Sequence, residues 1–585
     1  MPGWRSLGYH WDARAVKASR VLLGLLLLHQ TVYFTAHREV WLCERGVAPA
    51  ALFYTWHASR DPNPWLIFDA LPLLTLLHGC ALALVVGYRP RLAALVGGWL
   101  FSGLALRTTA VTAGDEALRS LLFLFAFQPG QPPALPLSLF SLGIAAQIAC
   151  IHVTTAALKR DREWATGAVM TLLHVTTHAK RNAAVEWLRG SPSLCQLLTH
   201  GALALETWGS WLLLVPQPAL RTAALVAFAA LHVGVFATLD VGLYSPAMVA
   251  ALVAQLPTPA VDGVLALLGL RGCDDEAPTA RRLADEFSDA LDDRWRRAVL
   301  VSRARAVKAA FVCTLGASMV YSVQQSLRSL RWISGAFVPA AVVSALSTFG
   351  MANAWATFGS LPNDTWIRIY GRTDAGQLYD LNALSSASLW RPTTLAEVAS
   401  VAPLPFEDHR WRGFFQSWAS RYREGASSVR LKQLREGFRD AVGGRLCGGA
   451  AARGVRLREA VIEWRQVSKA NVSRPLRVVS HPYEWRLVHR RWRQVSNVSV
   501  GPSVPGLRAW ADFIGCRQYN GTAATAKALV ATVNNERAVR HAEWWEGWRG
   551  SDHAAANEWG AEHALAVAAG VAVVRVSSRA CTLAR

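Results

Sequence analysis

The chain has 585 residues, of which 52% are hydrophobic and 17% charged, with a formal net charge of +21. That balance is not that of an ordinary soluble protein and points to an integral membrane protein. Nucleic acid is a poor fit for the positive excess, because the arginines recur between apolar segments without a compact basic motif; loop charge that sets membrane orientation or meets anionic lipid headgroups accounts for it.

Met1 to Arg20 is a basic segment, and Val21 to Phe34 is the first apolar run. Arg38 and Glu39 follow with no small-x-small cleavage pattern, so the run reads as a retained span and not as a removed leader. Further candidate segments are Trp65 to Val86, Leu92 to Leu106, Leu118 to Phe127, Leu135 to Leu158, Ala165 to Val175, Leu197 to Val215, Ala223 to Leu239, Ser245 to Leu268, Val307 to Val323 and Trp332 to Phe349. With about 20 residues needed per crossing, these predict about eight to ten spans. Gly87-Tyr-Arg-Pro-Arg91 and Pro216-Gln-Pro218 leave room only for turns.

The expected architecture is an all-α polytopic membrane domain followed by a mixed α/β extramembrane domain. Residues 21–270 form the helix bundle, 271–305 a polar linker, 306–350 the last membrane helices and 351–585 the extramembrane part. Within the linker Leu283, Phe287, Leu291, Trp295 and Val299 recur every fourth residue, an amphipathic helix lying on the bilayer. Beyond Phe349, Trp366 to Tyr370, Gln377 to Leu381 and Leu476 to Ser480 read as strands, and Arg410 to Leu434 as a helix. Four Asn-x-Ser/Thr sequons, at Asn363, Asn471, Asn497 and Asn520, favour a lumenal or extracellular glycosylated domain, and the endoplasmic reticulum or another endomembrane in a eukaryote. Nine cysteines include no Cys-x-x-Cys pair, so no metal site is predicted. A disulfide among Cys43, Cys447 and Cys516 stays open. The segment Trp544 to His563, dense in Trp, Glu and His, reads as an aromatic-rich surface helix.

Charged groups in hydrocarbon cost roughly 2.5 to 3.5 kcal/mol, so those within apolar runs face a bundle interior. His29, Asp69, His78, His152, Lys159, His174, His200, Glu206, His232 and Asp240 together suggest a polar interior. Three places stand out. Asp115 enters a helix behind Arg107, where it caps the helix or pairs with Arg107 or Arg119, capping being favoured. His232, Phe236 and Asp240 share one helical face. Lys159 ends an apolar run, with Trp164 setting the depth of the turn. Two readings of Lys159 stand side by side: an anchor in a basic loop, Lys159-Arg-Asp-Arg162, or a desolvated base, since burial disfavours an ammonium.

In this order, Gly87 to Arg91, Leu106-Arg-Thr-Thr, Ala113 to Arg119, Gln147 to Trp164 with Gly167, Glu206, His232 to Ser245 with Met248, Trp355 to Pro362 and Gly371 to Leu381 resemble the membrane domain of vitamin K-dependent gamma-carboxylases and the related HTTM (horizontally transferred transmembrane domain) proteins. The resemblance runs from about Ser19 to Tyr422. It implies Lys159 as the base that deprotonates vitamin K hydroquinone or another quinol, with oxygen and carbon dioxide as co-reactants and a protein glutamate as the carboxylated group. Asp115 and His232 are then further catalytic candidates, and Arg107, Trp164, Glu206, Phe236, Asp240 and Tyr244 substrate-binding candidates. The chain departs from the family at Ala113 to Glu116, where the animal enzymes carry a histidine, and beyond Tyr422, where their glutamate- and propeptide-binding part has no match. The alternative is a non-catalytic multi-span protein that binds lipid or a protein partner.

Overall fold

The computed structural model describes residues 12–42, 65, 69–108, 112–127, 139–268 (without 161, 175–178, 181 and 216), 309, 312–328, 332–348, 351, 364–381, 390–393, 442–467 (without 452) and 507–515. The first helix, α1 (Ala13–Ala36), starts because the Asp12 side chain accepts the Arg14 N–H at 2.8 Å while its other oxygen holds the Arg14 guanidinium at 2.7 Å. Inside it, Thr31 and Thr35 donate their hydroxyls to Leu27 O and Thr31 O, so neither polar group meets hydrocarbon unpaired. Next, α2 (Ala70–Val86) crosses α1 at Gly24, where a Cβ would lie 2.9 Å from Val85 N. Gly87, at φ 84°, then ends α2 in the left-handed conformation. Pro90 opens α3 (Pro90–Thr108), so the turn expected at Gly87 to Arg91 is present.

The bundle continues with α4 (Ala113–Phe125), α5 (Leu139–Leu158), α6 (Val169–His174), α7 (Ala183–Arg189) and α8 (Pro192–Ala204). A π-helical turn, Leu205–Gly209, prolongs α8. Then come α9 (Pro218–Thr238), α10 (Tyr244–Val253), α11 (Thr258–Leu267) and α12 (Ala340–Thr348). On α9, Arg221, Leu225, Phe228 and His232 are buried, whereas Val226 and Val233 on its outer side are each 60% exposed. Arg221 and His232 turned inward, with valines turned outward, suit a lipid surround.

Among the described residues, two helices are long and apolar enough to cross a membrane, α1 and α9, and a third crossing results if α10 and α11 count as one broken span. This corrects the expectation of eight to ten. Two apolar runs fold as short pieces: Gly167, at φ 74°, splits Ala165 to Val175, and a 110° bend splits Ser245 to Leu268. The run at Leu118 to Phe127 belongs to α4, which is only 13 residues long and buried along most of its length.

Past the bundle, five strands form an antiparallel sheet in the order β3-β2-β1-β4-β5: β1 (Asp364–Thr373), β2 (Leu378–Asp380), β3 (Arg391–Thr393), β4 (Leu457–Val467) and β5 (Leu507–Gly515). The two strands expected at Trp366 to Tyr370 and Gln377 to Leu381 are present, and β4 contains the Trp464-Arg-Gln-Val stretch. Ile369, Leu381, Leu457 and Ala460 join an apolar cluster with Val442, Leu446 and Ala450 of a helix over 442–451. Cys447 in that helix is disulfide-bonded, and Cys80, Cys150, Cys195 and Cys313 are in no disulfide, so its partner lies outside the described residues. The sequons, the strand expected at Leu476 to Ser480, the helices expected in the linker and at Arg410 to Leu434, and the segment Trp544 to His563 also lie outside them.

Candidate functional site

Lys159 is the first residue beyond α5, held by its N–H donating to Ala156 O at 3.0 Å. Its side chain turns inward: the residue is 7% exposed, and Nζ donates to Glu206 Oε2. The next residue, Arg160, turns outward and lies 4.8 Å from the Trp332 ring centroid. The two cations of one loop therefore have opposite fates, and it is Arg160, not Lys159, that takes the surface role. The one-turn helix Arg162–Ala165 brings the Trp164 ring to 4.4 Å from Lys159 Nζ. Trp164 is 2% exposed, so it roofs the amine and does not mark a membrane interface, as its sequence position suggested.

Glu206 extends the buried stripe of α8, Cys195, Thr199 and Ala202, into the π turn Leu205–Gly209. Glu206 is buried, while Trp208, two residues on, is 72% exposed. Hydroxyls take up carbonyls around this turn, Thr207 Oγ1 donating to Leu203 O and Ser210 Oγ to Glu206 O, each at 2.7 Å.

Beside the ion pair is a ring cluster drawn from three helices. His152 of α5 lies against Phe228 of α9 with centroids 4.4 Å apart, and 5.4 Å from His232 of α9. His232 meets Tyr244 of α10 edge-on at 5.5 Å. Both histidines are at most 2% exposed. Yet His152 Nε2 and both ring nitrogens of His232 find no hydrogen-bond partner among the described residues, and the same holds for Trp164 Nε1, Ser245 Oγ and the Gln147 amide. Buried groups of this kind cost about 1–3 kcal/mol each when unsatisfied.

The other sequence candidates serve the frame. Arg107 is buried and donates to Leu42 O at 2.7 Å, tying the end of α3 to the chain after α1. Asp115 sits at the third position of α4 in a capping box: Thr112 Oγ1 accepts the Asp115 N–H, and Asp115 Oδ2 accepts the Thr112 N–H at 2.9 Å. Phe236 is 48% exposed and carries Lys180, whose ammonium lies 4.0 Å from the ring centroid. Asp240 lies beyond the end of α9, because Leu239 is extended. His232, Phe236 and Asp240 thus do not share a working face, since two helical turns rotate the third position well away from the first and the helix stops before it. Not singled out as site residues from sequence were His152, Gln147 and Ser245. His152 had a usable signal: it precedes Lys159 by seven residues, which places both on one side of α5.

No protein-family model matches this chain, and no curated protein or solved structure matches it.

Proposed function

We propose that this chain is an integral membrane protein of the gamma-carboxylase-like (HTTM) class in which Lys159 acts as a base toward a hydroxylated aromatic guest, a quinol, within the bundle. The observation that carries this reading is the inward Lys159 amine, in contact with a buried carboxylate and covered by an indole ring. A base of this kind needs a dry setting, because water would quench the anion it generates. The unpaired nitrogens of His152 and His232 offer a donor and an acceptor to a guest hydroxyl or carbonyl, and Phe228, Tyr244 and Trp164 supply flat apolar walls.

When bound, a quinol supplies an acidic hydroxyl and two reducing equivalents, with oxygen and carbon dioxide as the co-reactants. The protein's share is to orient the ring, exclude water and take the hydroxyl proton at Lys159 Nζ. Lipid is the partner of the outer face, where Val226, Val233, Trp208 and Trp211 are exposed. The disulfide at Cys447 and the sequons support an oxidising, lumenal or extracellular setting for the residues after 350. Hydroquinone-dependent oxygen uptake is measured on the full chain in lipid nanodiscs with reduced vitamin K. Uptake is expected in the wild type and abolished in Lys159→Ala; equal uptake in both would remove Lys159 as base and leave the non-catalytic, lipid- or partner-binding reading.

A further inference from the structure

A carboxylate beside an ammonium stabilises the charged form of both groups. A lysine paired in this way works as a base only if its own proton has somewhere to go. Among the described residues, the atom in contact with Lys159 Nζ that can receive a proton is Glu206 Oε2. His152 Nε2 and both ring nitrogens of His232 make no hydrogen bond to the pair, and Trp164 presents its ring face.

We propose that Glu206 is the proton store of the site, a positioning residue that acts through Lys159. The resting pair is ammonium and carboxylate. When a guest displaces the remaining solvent, Nζ passes one proton to Oε2; an N–H bond breaks, an O–H bond forms, and a neutral amine faces a neutral carboxylic acid. No electron moves and no net charge is created. The amine then takes the guest's hydroxyl proton. Two observations besides the contact favour the role. Both partners are at least nine-tenths buried, where a neutral pair avoids the desolvation that two ions bear. Glu206 also continues the buried stripe of α8 set by Cys195, Thr199 and Ala202, which fixes its carboxyl inward, while Ser210 donates to its backbone carbonyl and leaves the side chain to Lys159.

The inference rests on Lys159 being the base, and its test separates the two ideas. Infrared spectra of the full chain in nanodiscs read the carboxyl group directly. Without any guest, Lys159→Met is expected to convert Glu206 to the acid, giving a C=O band that shifts in heavy water and vanishes in Lys159→Met/Glu206→Gln. If Glu206 stays ionised in Lys159→Met, the carboxyl cannot hold a proton there and the proposal is overturned, whatever the reaction. Anaerobic addition of reduced vitamin K to the wild type should raise one such band, absent in Glu206→Gln and restored in Glu206→Asp. Binding of the hydroquinone, followed by tryptophan quenching, with no new band also overturns the proton store. Failure of the hydroquinone to bind counts against the quinol reading alone, and the guest-free spectra still decide the role of Glu206.

Discussion

Gly114→Ala is expected to destabilise the bundle although alanine is the better helix former. Gly114 lies in the first turn of α4 against the backbone that opens α10, and an added Cβ would sit 2.5 Å from Tyr244 N, 2.7 Å from the Leu243 carbonyl carbon and 2.9 Å from Leu243 N. Ordinary contact begins at 3.4 Å, so the shortfall at Tyr244 N is 3.4 − 2.5, or 0.9 Å. No side-chain rotation relieves a backbone clash; one of the two segments must shift. Overpacking of this size costs about 1–3 kcal/mol, more than the propensity gain of up to ~1 kcal/mol, which is diminished in a first turn. Gly201→Ala in α8 and Gly234→Ala in α9 provide the contrast, because nothing lies within 4 Å of a Cβ at either position. Both should stabilise by up to about 1 kcal/mol. Thermal unfolding of the full chain in detergent, followed by tryptophan fluorescence, reads all three. The packing argument fails if Gly114→Ala melts at or above the wild type, or if the two controls lose as much as it does.

His232→Phe keeps a ring of similar shape against His152 and Tyr244 while deleting two unpaired buried nitrogens. The expected outcome is a melting temperature unchanged or raised, reflecting a stability gain of up to about 1–3 kcal/mol per relieved group, together with loss of hydroquinone-dependent oxygen uptake; a fall in melting temperature as deep as that of Gly114→Ala would contradict it. At the start of α1, burial alone would push the Asp12 carboxyl up, but the hydrogen bonds and charge of Arg14 outweigh it and hold the group below its ordinary value of 3.8. A carboxyl depressed on folding adds stability that is complete above that ordinary value and is lost as pH falls through the lower folded value. The melting-temperature difference between wild type and Asp12→Asn, which keeps the cap but not the charge, should therefore shrink below about pH 4. A difference that stays constant down to pH 2 speaks against the ion pair as its source.

Local features were legible in the sequence because their causes lie within a few residues. Gly87 and Pro90 dictate the turn between α2 and α3, Thr112 and Asp115 cap each other across one helical turn, and alternating residues mark β1 and β2. Composition pointed to a membrane protein, and the exposure of Leu82, Val86, Val226 and Val233 is compatible with an apolar surround.

Composition and periodicity left facing undecided. A helix apolar on all sides has no pattern to say which flank meets lipid and which meets protein, so His232 inward and Phe236 outward had to be decided by the neighbours that α9 packs against. Among the described residues fewer crossings are present than expected, because a hydropathy run does not register a glycine break or a 110° bend. The pairing of Lys159 with Glu206 joins residues far apart in the chain, and their meeting depends on how α5 and α8 with its π turn pack together. Sequence supplied the charges and the greasy surround; tertiary packing alone chose which two charges would neutralise each other, because the cost of burying either one falls only when the fold brings its partner within reach.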